Sequence, residues 1–110
     1  MEFLKKLFDL MNEKEAINTV VLDMRKTPMP ADFFVIATAN SQTHMGTLRN
    51  AVVEFFLTNG HSLIYYDKGE GYDWLLIDAG DIVVHIFTTR GREFYDLEGL
   101  WSDAVKLFQA

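Results

Sequence analysis

The stretch Trp74-Leu75-Leu76-Ile77-Asp78-Ala79-Gly80-Asp81-Ile82-Val83-Val84-His85-Ile86-Phe87 decides the fold. Two apolar runs, Tyr72 to Asp78 and Asp81 to Thr88, are joined through Ala79-Gly80. A short glycine-bearing link between such runs predicts an antiparallel hairpin. If Asp78 opposes Asp81, Leu76 faces Val83 and Trp74 faces His85, and opposed residues share a face. One side of the ribbon then carries Trp74, Leu76, Asp78, Val83, His85 and Phe87. The other carries Leu75, Ile77, Ile82, Val84 and Ile86, uniformly aliphatic and expected in the core. The first side joins a large aromatic, a histidine and acids near the turn. Apolar anchors with charges at their margin are what a partner surface needs; an imperfectly covered sheet face has the same composition.

Outward from the hairpin, Phe33 to Ala39 is apolar without alternation until its end, which predicts a central strand covered on both faces. Thr19 to Met24 is rich in β-branched residues and reads as another strand. The connector from Arg25 to Pro30 contains two prolines, which lack amide donors and restrict the residues before them. Ser41 is positioned to cap a helix in which Met45, Leu48, Ala51, Val52, Phe55 and Phe56 share a side, and Gly60 can end it. Strand, helix and a next strand at about residues 61 to 67 are expected to form one right-handed β-α-β unit with parallel strands. Phe3, Leu4, Leu7, Phe8 and Met11 predict an amphipathic helix over about residues 2 to 15, packed on the protein's own sheet. After Arg90 the period is irregular: Asp96 can cap a short turn, and short helices folded back over the sheet are expected to cover Phe94, Tyr95, Leu97, Leu100, Trp101, Val105, Leu107 and Phe108. The fold class is therefore α/β, a single domain with a mixed, five-stranded sheet flanked by helices.

The chain has 110 residues, room for one hydrophobic core. It is 49% hydrophobic with 14% aromatic residues, ample apolar area to offset the entropy of ordering. A formal net charge of -6 disfavours nucleic acid and favours a basic protein partner. Cysteine is absent, so disulfide and thiolate chemistry are excluded and a reducing compartment fits. No segment reads as a signal peptide or a membrane span, and a cytoplasmic location is the economical expectation.

Catalytic constellations are weak. His44, His61 and His85 lack metal-ligand spacing. Gly69-Glu70-Gly71 has neither the spacing nor the following helix of a phosphate-cradling loop. Ser41 and His44 sit together at a helix start with no oriented acid beside them. Metal-dependent phosphoryl or nucleotidyl transfer needs converging acids; Asp78 and Asp81 flank a turn, where two acids more readily form a solvated or partner-binding edge. No catalytic residue, cofactor or metal is expected. The residues leave two alternatives to a partner-binding domain: a metal-dependent nucleotidyltransferase-like enzyme and a homodimeric structural module.

The hairpin run, with Arg92-Glu93-Phe94-Tyr95-Asp96-Leu97-Glu98-Gly99-Leu100-Trp101 after it, resembles the signature half of the ribosomal silencing factors, also called the Iojap family. Val21-Leu22-Asp23-Met24-Arg25, Asp32-Phe33-Phe34-Val35-Ile36-Ala37-Thr38 and Asn40-Ser41 resemble its other blocks. The similarity spans roughly residues 18 to 103. Where the family often has a Glu-Gly pair in the strand-to-strand approach, this chain has Asp67-Lys68-Gly69-Glu70-Gly71, with an altered local charge pattern, and Ala39 stands where Gly or Thr is common. The resemblance implies a fold like the nucleotidyltransferase core and a non-enzymatic translation factor. It would bind the large ribosomal subunit through a basic β-barrel ribosomal protein and obstruct the small subunit when nutrients are scarce, with a tendency to homodimerise. Carried onto this chain, Trp74 and Leu76 would be anchors, Asp78, Asp81 and Glu98 would face basic side chains, His85 would orient the surface, and Tyr95 and Trp101 would join them or close the core.

Overall fold

The computed structural model describes residues 1–110. Its strands are β1 (Ile17–Asp23), β2 (Phe33–Thr38), β3 (Tyr65–Tyr66), β4 (Trp74–Asp78), β5 (Ile82–Phe87) and β6 (Val105–Gln109). Its helices are α1 (Glu2–Glu13), α2 (Gln42–Thr58), α3 (Thr89–Tyr95) and α4 (Leu97–Leu100). The strands form one mixed sheet in the order β3-β4-β5-β2-β1-β6. The sheet thus has six strands, not the expected five.

At its centre, β2 lies parallel to β5, from Phe33 opposite Ile82 to Thr38 opposite Phe87. All other pairings are antiparallel. Covered on both faces, β2 is buried from Phe34 to Thr38, as its unbroken apolar run predicts.

On one face, α1 and α2 pack over Val21, Val35, Leu75, Ile77, Val84 and Ile86. The amphipathic spacing of α1 is realised in Leu4, Leu7, Phe8 and Met11, all buried, although the helix ends at Glu13 and Glu15 takes a positive φ of 66°. Ser41 caps α2 by accepting a hydrogen bond from the His44 backbone N–H. Gly60 adopts φ 72°, and the His61 and Gly60 amides reach back to the Phe56 and Leu57 carbonyls. Those bonds satisfy acceptors orphaned at the helix end.

On the other face, Val20, Leu22, Met24, Ala31, Phe34, Ile36, Phe87 and Leu97 form a second core. It lies beneath the connector and the α3–α4 segment. Short helices in this segment were expected, and Asp96, in the left-handed region at φ 44°, caps α4 by accepting from the Gly99 N–H. The short helices expected for the tail account for only part of it. Val105 to Gln109 adds a sixth strand against β1.

Two pairings also differ from expectation. The hairpin places Asp78 opposite Val83, Leu76 opposite His85 and Trp74 opposite Phe87, two residues away from the expected register. The cause is local: the Gly80 N–H donates to Asp78 Oδ1, while the Asp81 carbonyl turns to accept from the Asp32 and Phe33 amides. Asp81 cannot then pair with Asp78. A shift of two preserves which side chains share a face, so the division into aliphatic and mixed sides stands. The second difference concerns the β-α-β unit. β2 and β3 run in the same direction, but β4 and β5 lie between them. Only Tyr65 and Tyr66 of the predicted 61–67 strand are paired, and their neighbour is the antiparallel β4.

Candidate partner-binding face

The register assembles the mixed face in rows. One row crosses all six strands: Tyr65, Asp78, Val83, Phe34, Leu22 and Lys106. The next contains Leu76, His85, Ile36 and Val20. A third contains Trp74, Phe87 and Thr38. From Phe34 toward β1 these rows are buried in the second core. Toward β3 the cover stops. A groove of about 300 Å³ remains, floored by Trp74, Leu76, Val83 and His85, edged by Asp78, and walled by Met29 and Pro30 of the connector.

Trp74 and His85 form one unit. The indole Nε1–H donates to His85 Nδ1 at 3.0 Å. An indole nitrogen can only donate, so Nδ1 is the acceptor of a neutral ring and the proton sits on Nε2. Burial, with His85 only 3% exposed, pushes its pKa down to about 3. The imidazole Nε2 is buried without a hydrogen-bond partner. Trp74 also stacks on Phe87 at 5.3 Å and meets Tyr95 of α3 at 4.8 Å. A row of rings thus connects the buried floor to the half-exposed Tyr95.

The remaining sequence-derived candidates are dispersed. Asp81 lies at the hairpin tip, where His61 Nε2 approaches its Oδ1 at 2.9 Å; the His61 ring packs on Phe3 and Phe56 of the helical layer. Asp81 is absent from the groove lining. Glu98 is held by Arg92, whose Nε donates to Oε1 at 2.8 Å while its Nη1 donates to the Thr38 hydroxyl and Ile17 carbonyl. Trp101 packs against the second core with its indole nitrogen buried and unpartnered. The structure therefore brings together Trp74, Leu76, Asp78 and His85, with Tyr95 adjoining. It separates Asp81, Glu98 and Trp101 from that group.

Sequence reading missed Tyr65, which the β3–β4 register places beside Asp78. Its hydroxyl donates to Asp67 Oδ1 at 2.7 Å, a bond that raises the phenol pKa, and Asp67 Oδ2 accepts from the Leu76 N–H. The signal was the alternation Tyr65, Tyr66, Asp67, too short to reveal its register without the partner strand. Met29 and Pro30 were read only as connector residues.

The residues that hinted at catalysis have other tasks. Ser41 caps α2. The His44 ring accepts from the Asn40 N–H and bonds to the Lys14 carbonyl, linking the end of α1 to the start of α2. The loop around Gly69 and Gly71 is clasped by α2: Gly71 N–H donates to Gln42 Oε1, and Arg49 donates to the Gly69 carbonyl. No group of three or more His, Cys, Asp or Glu side chains converges as metal ligands would.

Comparison with known proteins agrees with this arrangement of blocks. Residues 1–109 match the family model described as "Ribosomal silencing factor during starvation". A Halalkalibacterium halodurans protein named ribosomal silencing factor RsfS is 35% identical over 106 residues, covering 94% of this chain and 88% of the relative. Its Bacillus subtilis counterpart is 36% identical over 96 residues, covering 84% and 79%. A crystal structure of a Chromobacterium violaceum protein superposes with a TM-score of 0.85 at 28% identity, covering 92% of this chain and 84% of that one. The chain belongs to the ribosomal silencing factor family, RsfS or Iojap.

Proposed function

We propose that this protein binds the large ribosomal subunit through a basic β-barrel ribosomal protein and, by its bulk there, blocks joining of the small subunit, repressing translation under nutrient limitation. Family membership supports the ribosomal partner. The observation that carries the docking site is the uncovered half of the mixed face, where a rigid Trp74–His85 unit and Leu76 lie beside the Asp78 carboxylate. Desolvated aromatic and aliphatic anchors provide contact, and an acidic margin selects a basic surface. A net charge of -6 steers the same choice at longer range. In this reading the chain acts as a single domain with a nucleotidyltransferase-like core, stoichiometrically and without catalysis or cofactor, in the cytoplasm. It pairs with a second copy when free, and nucleic acid and membrane are not its partners.

The test is quantitative binding to purified large subunits, with subunit joining followed by light scattering, comparing wild type with Leu76→Arg. Leu76 lies on the groove floor and makes no side-chain hydrogen bond, so the new cation confronts a basic partner with little other change. Wild type should bind saturably and slow joining in proportion to occupancy, whereas Leu76→Arg, folded by circular dichroism, should do neither. Absence of wild-type binding overturns the ribosomal assignment. Equal binding by both proteins removes this face from the interface.

A further inference from the structure

We propose that Tyr65 and Asp78 form a corner of this face that receives an arginine or lysine side chain of the basic partner, the cation lying on the phenol ring with a carboxylate oxygen beside it. The inference rests on the docking reading above and adds a contact that the hairpin alone does not contain.

Asp78 forms no ion pair within the chain, unlike the two other acids first assigned to the partner face, Asp81 and Glu98. Asp73, Asp81 and Glu98 each have a basic side chain of this chain within 2.8–2.9 Å. The Asp78 carboxylate accepts only the Gly80 N–H, through Oδ1. It edges the groove with one oxygen uncommitted. A carboxylate in that position attracts an external cation, and partial shielding by the groove walls makes the pair stronger than a fully solvated one.

Tyr65 supplies the second wall. It is the direct cross-strand neighbour of Asp78 and therefore shares its face. Every residue from Phe34 to Leu22 in the same row is buried, whereas Tyr65 is 52% exposed. The Tyr65 ring belongs to neither core. Its orientation is nevertheless set: the hydroxyl is tied to Asp67, and Asp67 is tied to the Leu76 backbone through both its amide and its carboxylate. A ring held in place loses little rotamer freedom on binding, and its face attracts cations through the aromatic quadrupole. The chain's own Lys68 ammonium lies over both tyrosines, 4.1 Å from the Tyr66 centroid and 5.7 Å from that of Tyr65, so a partner cation would displace the weaker of its two ring contacts.

The experiment measures affinity for purified large subunits with wild type, Tyr65→Phe, Tyr65→Leu and, as a marker of the docking face, Leu76→Arg. Tyr65→Phe keeps the π face and should bind within about twofold of wild type; Tyr65→Leu keeps apolar bulk without it and should bind about 5- to 20-fold more weakly. Leu76→Arg should abolish binding. If Tyr65→Leu binds like wild type while Leu76→Arg does not, the corner is overturned and the docking face stands. Equal losses in Tyr65→Phe and Tyr65→Leu would assign the effect to the hydroxyl bond with Asp67 and overturn the cation site. If wild type does not bind, or Leu76→Arg binds as well as wild type, the docking reading fails and the corner with it.

Discussion

The Trp74 indole donates to His85 Nδ1 diagonally across the β4–β5 ladder, from a residue paired with Phe87 to one paired with Leu76. This single bond selects the histidine tautomer and holds the largest side chain of the groove floor in one orientation. It also makes the neutral ring part of the fold's stability.

That stability should depend on pH. His85 has its pKa lowered from 6.5 to about 3 in the folded chain, so between those values the unfolded chain binds a proton that the folded chain refuses. The sign follows: the contribution is complete above pH 6.5 and falls as the pH drops toward 3. The loss is about 1.4 kcal/mol per pH unit below the upper limit, or about 2 kcal/mol at pH 5. His85→Leu removes this proton uptake but leaves the Trp74 N–H without its acceptor, costing about 1–3 kcal/mol at pH 7. In urea titrations the gap between the two proteins should therefore narrow from pH 7 to pH 5. A constant gap would show that His85 is not the group responsible.

Gly91 and Gly46 should respond oppositely to the same substitution. A Cβ on Gly91 would lie 2.2 Å from the Asp73 carbonyl oxygen, so β4 and α3 must separate to admit it. Gly91→Ala should cost about 2–3 kcal/mol, with the Asp73–Arg90 contact disturbed. On α2, Gly46 has only the flexible end of Arg49 nearby, at 3.5 Å. Gly46→Ala should stabilise by about 0.5–1 kcal/mol through helix propensity. Thermal unfolding of the two variants checks both signs.

Glu98 should matter to the fold rather than to the partner. Arg92 is 16% exposed at its side chain and is bound to Glu98, Thr38 and Ile17. Removing the carboxylate leaves that guanidinium under-compensated. Glu98→Gln should lower stability by about 1–2 kcal/mol, allowing for partial solvent screening. Its affinity for large subunits, corrected for the folded fraction, should remain that of wild type. A selective loss of affinity without a loss of stability would return Glu98 to the interface.

Asp81 can be tested in the same manner against Asp78. Asp81→Asn keeps a hydrogen-bonding group for His61 and should leave subunit binding within about twofold. Asp78→Asn removes the unpaired charge at the groove and should weaken binding about 5- to 10-fold, more at low than at high salt. Surface binding assays at two salt concentrations separate these outcomes.

Much of this arrangement was legible in the residues. The unbroken Phe33–Ala39 run placed β2 at the centre because burial on both faces leaves no polar alternation. The hairpin faces were recovered despite an incorrect register, since face identity depends only on parity. What failed was what the far neighbour determines. A strand was expected at about residues 61 to 67, but only Tyr65 and Tyr66 pair, and with β4 instead of β2, so the face that Tyr65 shares with Asp78 went unnoticed. The Val105–Gln109 strand was hidden because its alternation follows directly on the helical spacing of Leu97, Leu100 and Trp101. The Arg92–Glu98 pair depends on the left-handed Asp96 between them, a backbone state that side-chain pattern does not announce.

The strand order carries a consequence for how the molecule is made. When residues up to 66 have emerged from the ribosome that synthesises them, β1 and β2 can already pair, but β3 has no neighbour. It is separated from β2 by a gap the width of two strands, which residues 74 to 87 later fill. The outer edge of β1 likewise waits for Val105–Gln109. The half-made chain therefore presents open strand edges that only residues 74 to 109 can close. The sheet of this protein cannot be completed until Val105–Gln109 has been made.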